Sequence, residues 1–210
     1  GQVAVAPGQV AIDVELLDAI AKEEGIQYEL KPMEFNGIIP ALVSGQIDGS
    51  IAGMNITEAR KKSVDFSDGY MKASSAIIVN KNNTSIKTLD DLKGKTAAVK
   101  KGTSGARIAE GFKDKYNLNI TYYDDSPNMM LAVANGNADF LIEDLSVINY
   151  LLKTGQQDKL KVVIPTVGDA PYDGFAVKKG ANQDLLAKFN DGLKKIKANG
   201  TYDKIVKQYI

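Results

Sequence analysis

Short apolar, β-branched runs alternate along this chain with stretches whose apolar positions recur every three or four residues. Such alternation predicts an α/β fold with largely parallel sheets. Leu16, Leu17, Ile20 and Ala21 share one face of a helix expected over residues 12–24, and Gly25 follows as its stop. Asn36 is expected to cap a helix that ends at Ser44, before Gly45. Strands are expected over 47–53, 74–79, 96–99, 120–123, 140–142 and 175–177. Thr57 is expected to cap the helix after the first of these. A glycine- and serine-containing turn, 101–105, leads into a helix from about Ala106. Ser126-Pro127 reads as the cap and first turn of a helix ending near Gly136. Further helices are expected over 145–153, 183–197 and 202–209.

One pattern occurs twice. Residues 41–53 (ALVSGQIDGSIAG) and 133–144 (VANGNADFLIED) both read as helix, glycine stop, Asp, buried strand and polar strand end. The copies are too far apart for a solenoid. They read as equivalent units of two related lobes, or as two ordinary helix-to-strand connections. Ligands of α/β sheets bind beyond the carboxyl ends of strands. That rule points to Gly53-Met54-Asn55 in one copy and Glu143-Asp144 in the other.

Composition narrows the chemistry. Of 210 residues, 44% are hydrophobic and 25% charged, which is ordinary for a globular protein of one large or two small domains. With 26 basic and 26 acidic residues and no long single-sign run, nothing points to nucleic acid or a membrane surface. The chain has no histidine and no cysteine. Ser-His and Cys-His catalysis, thiol chemistry, disulfides and the commonest transition-metal ligands are therefore excluded. No metal site and no cofactor are expected.

Only Arg60 and Arg107 are arginines; the other basic residues are lysines. Arg60 falls in the first turn after the Thr57 cap, where positive charge opposes the helix dipole. A bound carboxylate would offset that cost through the planar guanidinium fork; the alternative is a solvated arginine in the run Arg60-Lys61-Lys62. Arg107 has only surface context. The turn 101–105 resembles an anion-cradling loop before a helix, or is a plain tight turn. Glu143 and Asp144 end a strand as adjacent carboxylates, suited to a ligand ammonium or simply to a helix N-terminus. Phe35, Tyr70, Tyr122 and Tyr123 are candidate pocket aromatics or packing residues.

Taken together, these positions carry a family resemblance. The runs 28–42 (YELKPMEFNGIIPAL) and 52–68 (AGMNITEARKKSVDFSD) resemble amino-acid-binding proteins of ABC importers. So do 89–95 (LDDLKGK) and the ending 199–205 (NGTYDKI). The likeness runs from about Val10 to the C-terminus and is greatest to glutamine-binding members. It implies a two-lobed Venus-flytrap, the type II periplasmic-binding fold. Lobe 1 would comprise 1–72 and 173–210, lobe 2 would comprise 73–172, and two crossing hinge segments would join them. By the same resemblance Arg60 clamps the ligand α-carboxylate, with Ala52, Gly53 and Asn55 assisting. Asp144 holds the α-ammonium, Phe35 packs on the ligand, and Lys100, Thr103, Ser104 and Glu143 contact it from lobe 2. The expected partners are a free amino acid and a membrane permease of an ABC transporter. The expected protein is a monomer and not an enzyme. Its location would be periplasmic or extracellular, with any lipid anchor in the full-length precursor.

The departures from the family pattern are specific. Asn55 stands where threonine or serine is common. Glu143 stands where glutamine-binding members carry a neutral or titratable group, which argues against an acidic ligand side chain. Family members place a loop bearing an acidic residue and an aromatic, then a hairpin, ahead of the segment beginning at Val10; here Val3-Ala-Val-Ala-Pro-Gly leads almost directly into it, about fifteen residues short. Gly1-Gln-Val-Ala and Gly8-Gln-Val-Ala also look like a short duplication. Two competing expectations follow: a family member that no longer binds ligand and serves as a sensor module, or a dehydratase-like enzyme using Glu143 as general acid.

Overall fold

The structure is a computed structural model describing residues 1–6 and 10–209. The strands are β1 (Gln2–Val5), β2 (Glu29–Pro32), β3 (Gly49–Ser50), β4 (Val64–Phe66), β5 (Met71–Lys72), β6 (Ser75–Asn80), β7 (Thr96–Lys100), β8 (Asn119–Tyr123), β9 (Phe140–Asp144), β10 (Leu160–Val167), β11 (Tyr172–Asp173) and β12 (Ala176–Lys178). The helices are α1 (Val10–Glu24), α2 (Phe35–Ser44), α3 (Glu58–Lys61), α4 (Ser104–Tyr116), α5 (Ser126–Ala134), α6 (Leu145–Lys153), α7 (Gln183–Ala198) and α8 (Thr201–Val206). They form two compact units, Gly1–Ala73 with Pro171–Tyr209, and Ser74–Ala170.

In the first unit the sheet runs β2-β1-β3-β12-β4. β1 pairs in parallel with β2 and β3, and β12 pairs antiparallel with β3 and β4. Leu16, Leu17 and Ile20 of α1 pack with Phe189, Leu193 and Ile196 of α7 in one core. Phe175 stacks on Phe189 at 4.6 Å between ring centroids. The short strands β5 and β11 pair antiparallel. Tyr70, immediately before β5, is fully buried and donates its hydroxyl to Asp13 Oδ1 at 3.0 Å.

The second unit repeats this plan with the sheet β10-β6-β9-β7-β8. β7 is parallel to β8 and β9, while β6 is antiparallel to β9 and β10. The central strands are buried on both faces, so alternate residues serve different cores. Ile77, Val79, Ala97, Val99, Phe140 and Ile142 pack with Ala106 and Ala109 of α4. Ala76, Ile78, Ala98 and Leu141 pack with Met129, Met130 and Val133 of α5. The twice-occurring pattern falls on the same step of both sheets: α2 into β3, and α5 into β9.

Several expectations are corrected. The sheets are mixed rather than largely parallel. β12 and β6 reach their sheets from the crossing segments and not through a helical crossover, so nothing constrains them to be parallel. The strand expected over 47–53 is ladder-paired only at Gly49–Ser50; Gly53 has φ +60°, a backbone turn that ends the extended run. Glu34, not Asn36, occupies the N-cap of α2. Asp125, not Ser126, caps α5, its side chain accepting from Asn128 N–H.

Gly105 sets how closely α4 approaches β9. A Cβ there would lie 2.7 Å from the Ile142 carbonyl oxygen. Gly105→Ala is expected to lower stability by about 1–3 kcal/mol through overpacking against backbone, read as a shift in the urea unfolding midpoint; an unchanged midpoint would refute the close-approach role.

Candidate ligand-binding site

In the first unit the candidate residues follow β3. Ala52 is buried, and Asn55 makes an isolated antiparallel bridge with Asp173 of β11. Thr57 caps α3 by accepting from Arg60 N–H at 3.2 Å. The half-buried Arg60 side chain folds back along this turn. Its Nη1 donates to the Asn55 carbonyl at 2.8 Å. Its guanidinium carbon sits 5.3 Å from the centre of the Phe35 ring, a cation–π arrangement that fixes the plane of the fork. The structure thus brings Arg60, Asn55 and Phe35 together.

Tyr70 is a core residue: its hydroxyl donates to Asp13 Oδ1, and burial, then the charges of Asp13 and Asp173, push that phenol well above the usual tyrosine range. Tyr122 is exposed, donating its hydroxyl to Glu110 at 2.8 Å, and Tyr123 packs partly into the α5-side core.

In the second unit the candidate residues gather where β7 and β9 end. The β7–β9 ladder pairs Ala97 with Phe140 and Ala98 with Leu141. The same offset brings Lys100 beside Glu143. Lys100 shares its sheet face with Ala98, and Glu143 shares its face with Leu141, so both lie on the α5 side. Lys100 Nζ donates to Ser126 Oγ at 3.2 Å, and Ser126 Oγ donates to Glu143 Oε2 at 3.0 Å. Glu143 Oε1 accepts from Asp144 N–H at 2.9 Å. Burial pushes the Glu143 carboxyl above the usual glutamate range, against these bonds and the Lys100 charge, which pull it down.

Asp144 caps α6. Its Oδ1 accepts from Ser146 N–H at 3.0 Å and from Ser146 Oγ at 2.8 Å. Burial raises its pKa against both bonds. The two carboxylates are therefore served by different partners and do not act as a hydrogen-bonded pair. Thr103 caps α4 through Ala106 N–H at 3.2 Å and donates its hydroxyl to the Lys100 carbonyl at 2.6 Å. Ser104 Oγ accepts from the exposed Arg107 at 3.0 Å. The turn 101–105 is thus organised chiefly as a helix start. Tyr70 and Ser126 are the contributors whose roles the sequence hid. Tyr70 read as a pocket aromatic and Ser126 as a cap, and no sequence signal distinguished their actual hydrogen bonds. Residues 7–9, at the step where the family's acidic and aromatic loop is missing from this sequence, lie outside the described residues. Among the described residues no group of three or more acidic side chains could hold a metal ion.

Residues 8–210 match the bacterial extracellular solute-binding proteins, family 3. The arginine-binding extracellular protein ArtP of Bacillus subtilis is 34% identical over 95% of this chain and 77% of its own length. The ABC transporter glutamine-binding protein GlnH of the same organism is 37% identical over 94% of this chain and 71% of its own length. Among solved structures, substrate-binding domain 2 of GlnP from Lactococcus lactis, in an open conformation, superimposes with a TM-score of 0.87 at 34% identity. That match covers 100% of this chain and 94% of the other. The paired α/β units and these matches agree: the chain has the type II periplasmic-binding fold and belongs to the family-3 bacterial extracellular solute-binding proteins, the amino-acid-binding receptors of ABC transporters.

Proposed function

We propose that this chain captures a free polar amino acid with an uncharged side chain, glutamine first, outside the cytoplasm and delivers it to an ABC permease. Arg60 of the first unit takes the α-carboxylate as a planar fork, steadied by Phe35 and the Asn55 carbonyl. Asp144 of the second unit takes the α-ammonium. Both of its capping bonds fall on Oδ1, which supports Oδ2 as the acceptor. Ala52, Gly53, Thr103 and Ser104 complete the contacts with the ligand backbone.

The observation that carries the choice of side chain is the Lys100–Ser126–Glu143 chain. One cation and one anion side by side present a donor and an acceptor with no net charge, which matches a carboxamide. An acidic side chain meets Glu143 as a like charge. The relatives also support a second reading, an arginine receptor, because ArtP is as similar as GlnH. In that case Glu143 pairs with the ligand guanidinium, and Lys100 opposes it. The permease partner, the monomeric state and the absence of turnover belong to this proposal.

Thermal-shift measurements against the twenty amino acids test it, since a ligand that binds only the folded state stabilises it by about 2.7 kcal/mol at one hundred times its Kd. Glutamine is expected to give the largest shift, and recovered ligand is expected to be chemically unchanged by mass spectrometry. A larger shift with arginine selects the second reading, and no shift with any amino acid defeats both.

Arg60→Ala is expected to remove the shift. Arg60→Lys, which keeps the charge and loses the fork, is expected to weaken binding at least tenfold in calorimetry. Wild-type affinity in Arg60→Ala would refute the carboxylate clamp.

A further inference from the structure

Ser126 is the first residue of α5, yet the capping bond at that helix is made by Asp125. Its hydroxyl accepts from the Lys100 ammonium at 3.2 Å and donates to Glu143 at 3.0 Å. Among the described residues, Lys100 and Glu143 form no direct ion pair, although the ladder register aligns them on neighbouring strands and on one face.

We infer that Ser126 is a specificity-determining positioning residue, whose hydroxyl holds Lys100 and Glu143 as a bridged pair with each charge left able to meet a neutral ligand side chain. The inference rests on the proposed binding function and names the device that sets its side-chain preference. A direct Lys100–Glu143 contact in this half-dry setting would be satisfied by itself, and a ligand would have to break it to bind. The hydroxyl occupies one ammonium donor and one carboxylate lone pair. An ammonium has three donors, and a carboxylate has about four acceptor sites. Glu143 spends another acceptor site on Asp144 N–H. The groups that face the Glu143 carboxylate are thus Lys100, Ser126 and Asp144. Nothing about the helix itself requires serine at 126, because Asp125 supplies the cap and Pro127 the pre-set backbone.

Two readouts test this. In the ligand-free protein, the Glu143 side-chain carboxyl is titrated by carbon-13 NMR in wild type, Ser126→Ala and Ser126→Thr. The alanine variant is expected to move the midpoint by more than about half a pH unit, upward if the carboxylate is left unbridged and downward if Lys100 closes on it. The threonine variant, which keeps the hydroxyl, is expected to titrate like wild type. A midpoint unmoved in Ser126→Ala overturns the inference. In calorimetry with L-glutamine, Ser126→Ala is expected to weaken binding about tenfold and Ser126→Thr less than about threefold. Adding Ser126→Ala to Glu143→Gln is expected to cost little more, because the hydroxyl acts through that carboxylate. Fully multiplicative losses, or wild-type affinity in Ser126→Ala, also overturn it. If wild type binds neither L-glutamine nor L-arginine, the functional reading and the specificity role fail together, and the titration alone decides whether Ser126 bridges Lys100 and Glu143.

Discussion

The parallel register of β7 and β9 is the constraint on which the second unit's chemistry depends. It ends both strands at the same level, with Lys100 beside Glu143. Because these strands are buried on both faces, their side chains alternate between two dry cores until the ladder runs out. Beyond Val99 and Ile142 the same alternation carries polar residues to one edge. There a lysine and a glutamate share the α5 side. Three helices, α4, α5 and α6, start within a few residues of this edge. Each contributes a hydroxyl at its first turn or cap, from Thr103, Ser126 and Ser146. Gly105 permits the approach of α4, since the Ile142 carbonyl leaves no space for a Cβ.

The first unit reaches a related result by different means. Its parallel strand β3 is paired over only two residues, and the chain then turns at Gly53 with positive φ. Tyr70 donates its hydroxyl to the Asp13 carboxylate, deep in a core shared with α1 and α7. Asn55 is tied to β11, which pairs with the strand directly after Tyr70. The guanidinium of Arg60 thus donates to backbone that is tied to β11 through the bridge between Asn55 and Asp173.

The sequence was most legible where a local rule has a local cause. Thr57 was readable as a cap because its hydroxyl needs only the N–H three residues on. Gly25 and Gly45 were readable as stops, both having positive φ. It was less legible where two local candidates competed. Asp125 and Ser126 can both cap a helix, and the choice fell to Asp125 while Ser126 found partners on two strands distant in sequence. The same holds for Tyr70, whose aromatic ring suits a pocket or a core and whose burial is a tertiary fact. The antiparallel strands β6 and β12 were misread because periodicity reveals that a segment is a buried strand but carries no sign of its direction.

The sequence by itself determined the alternation of helices and strands, the repeated helix-to-strand step, the absence of histidine and cysteine chemistry, and the family motif around Arg60. Each of these is written in neighbouring residues, so local spacing suffices to express it. Only the tertiary structure decided that Lys100, Ser126 and Glu143 form one hydrogen-bonded chain, that Arg60 lies against Phe35 and the Asn55 carbonyl, and that Tyr70 is buried with its hydroxyl on Asp13. Strand register and side-chain burial join residues that are tens of positions apart, and no local pattern encodes which of them will meet.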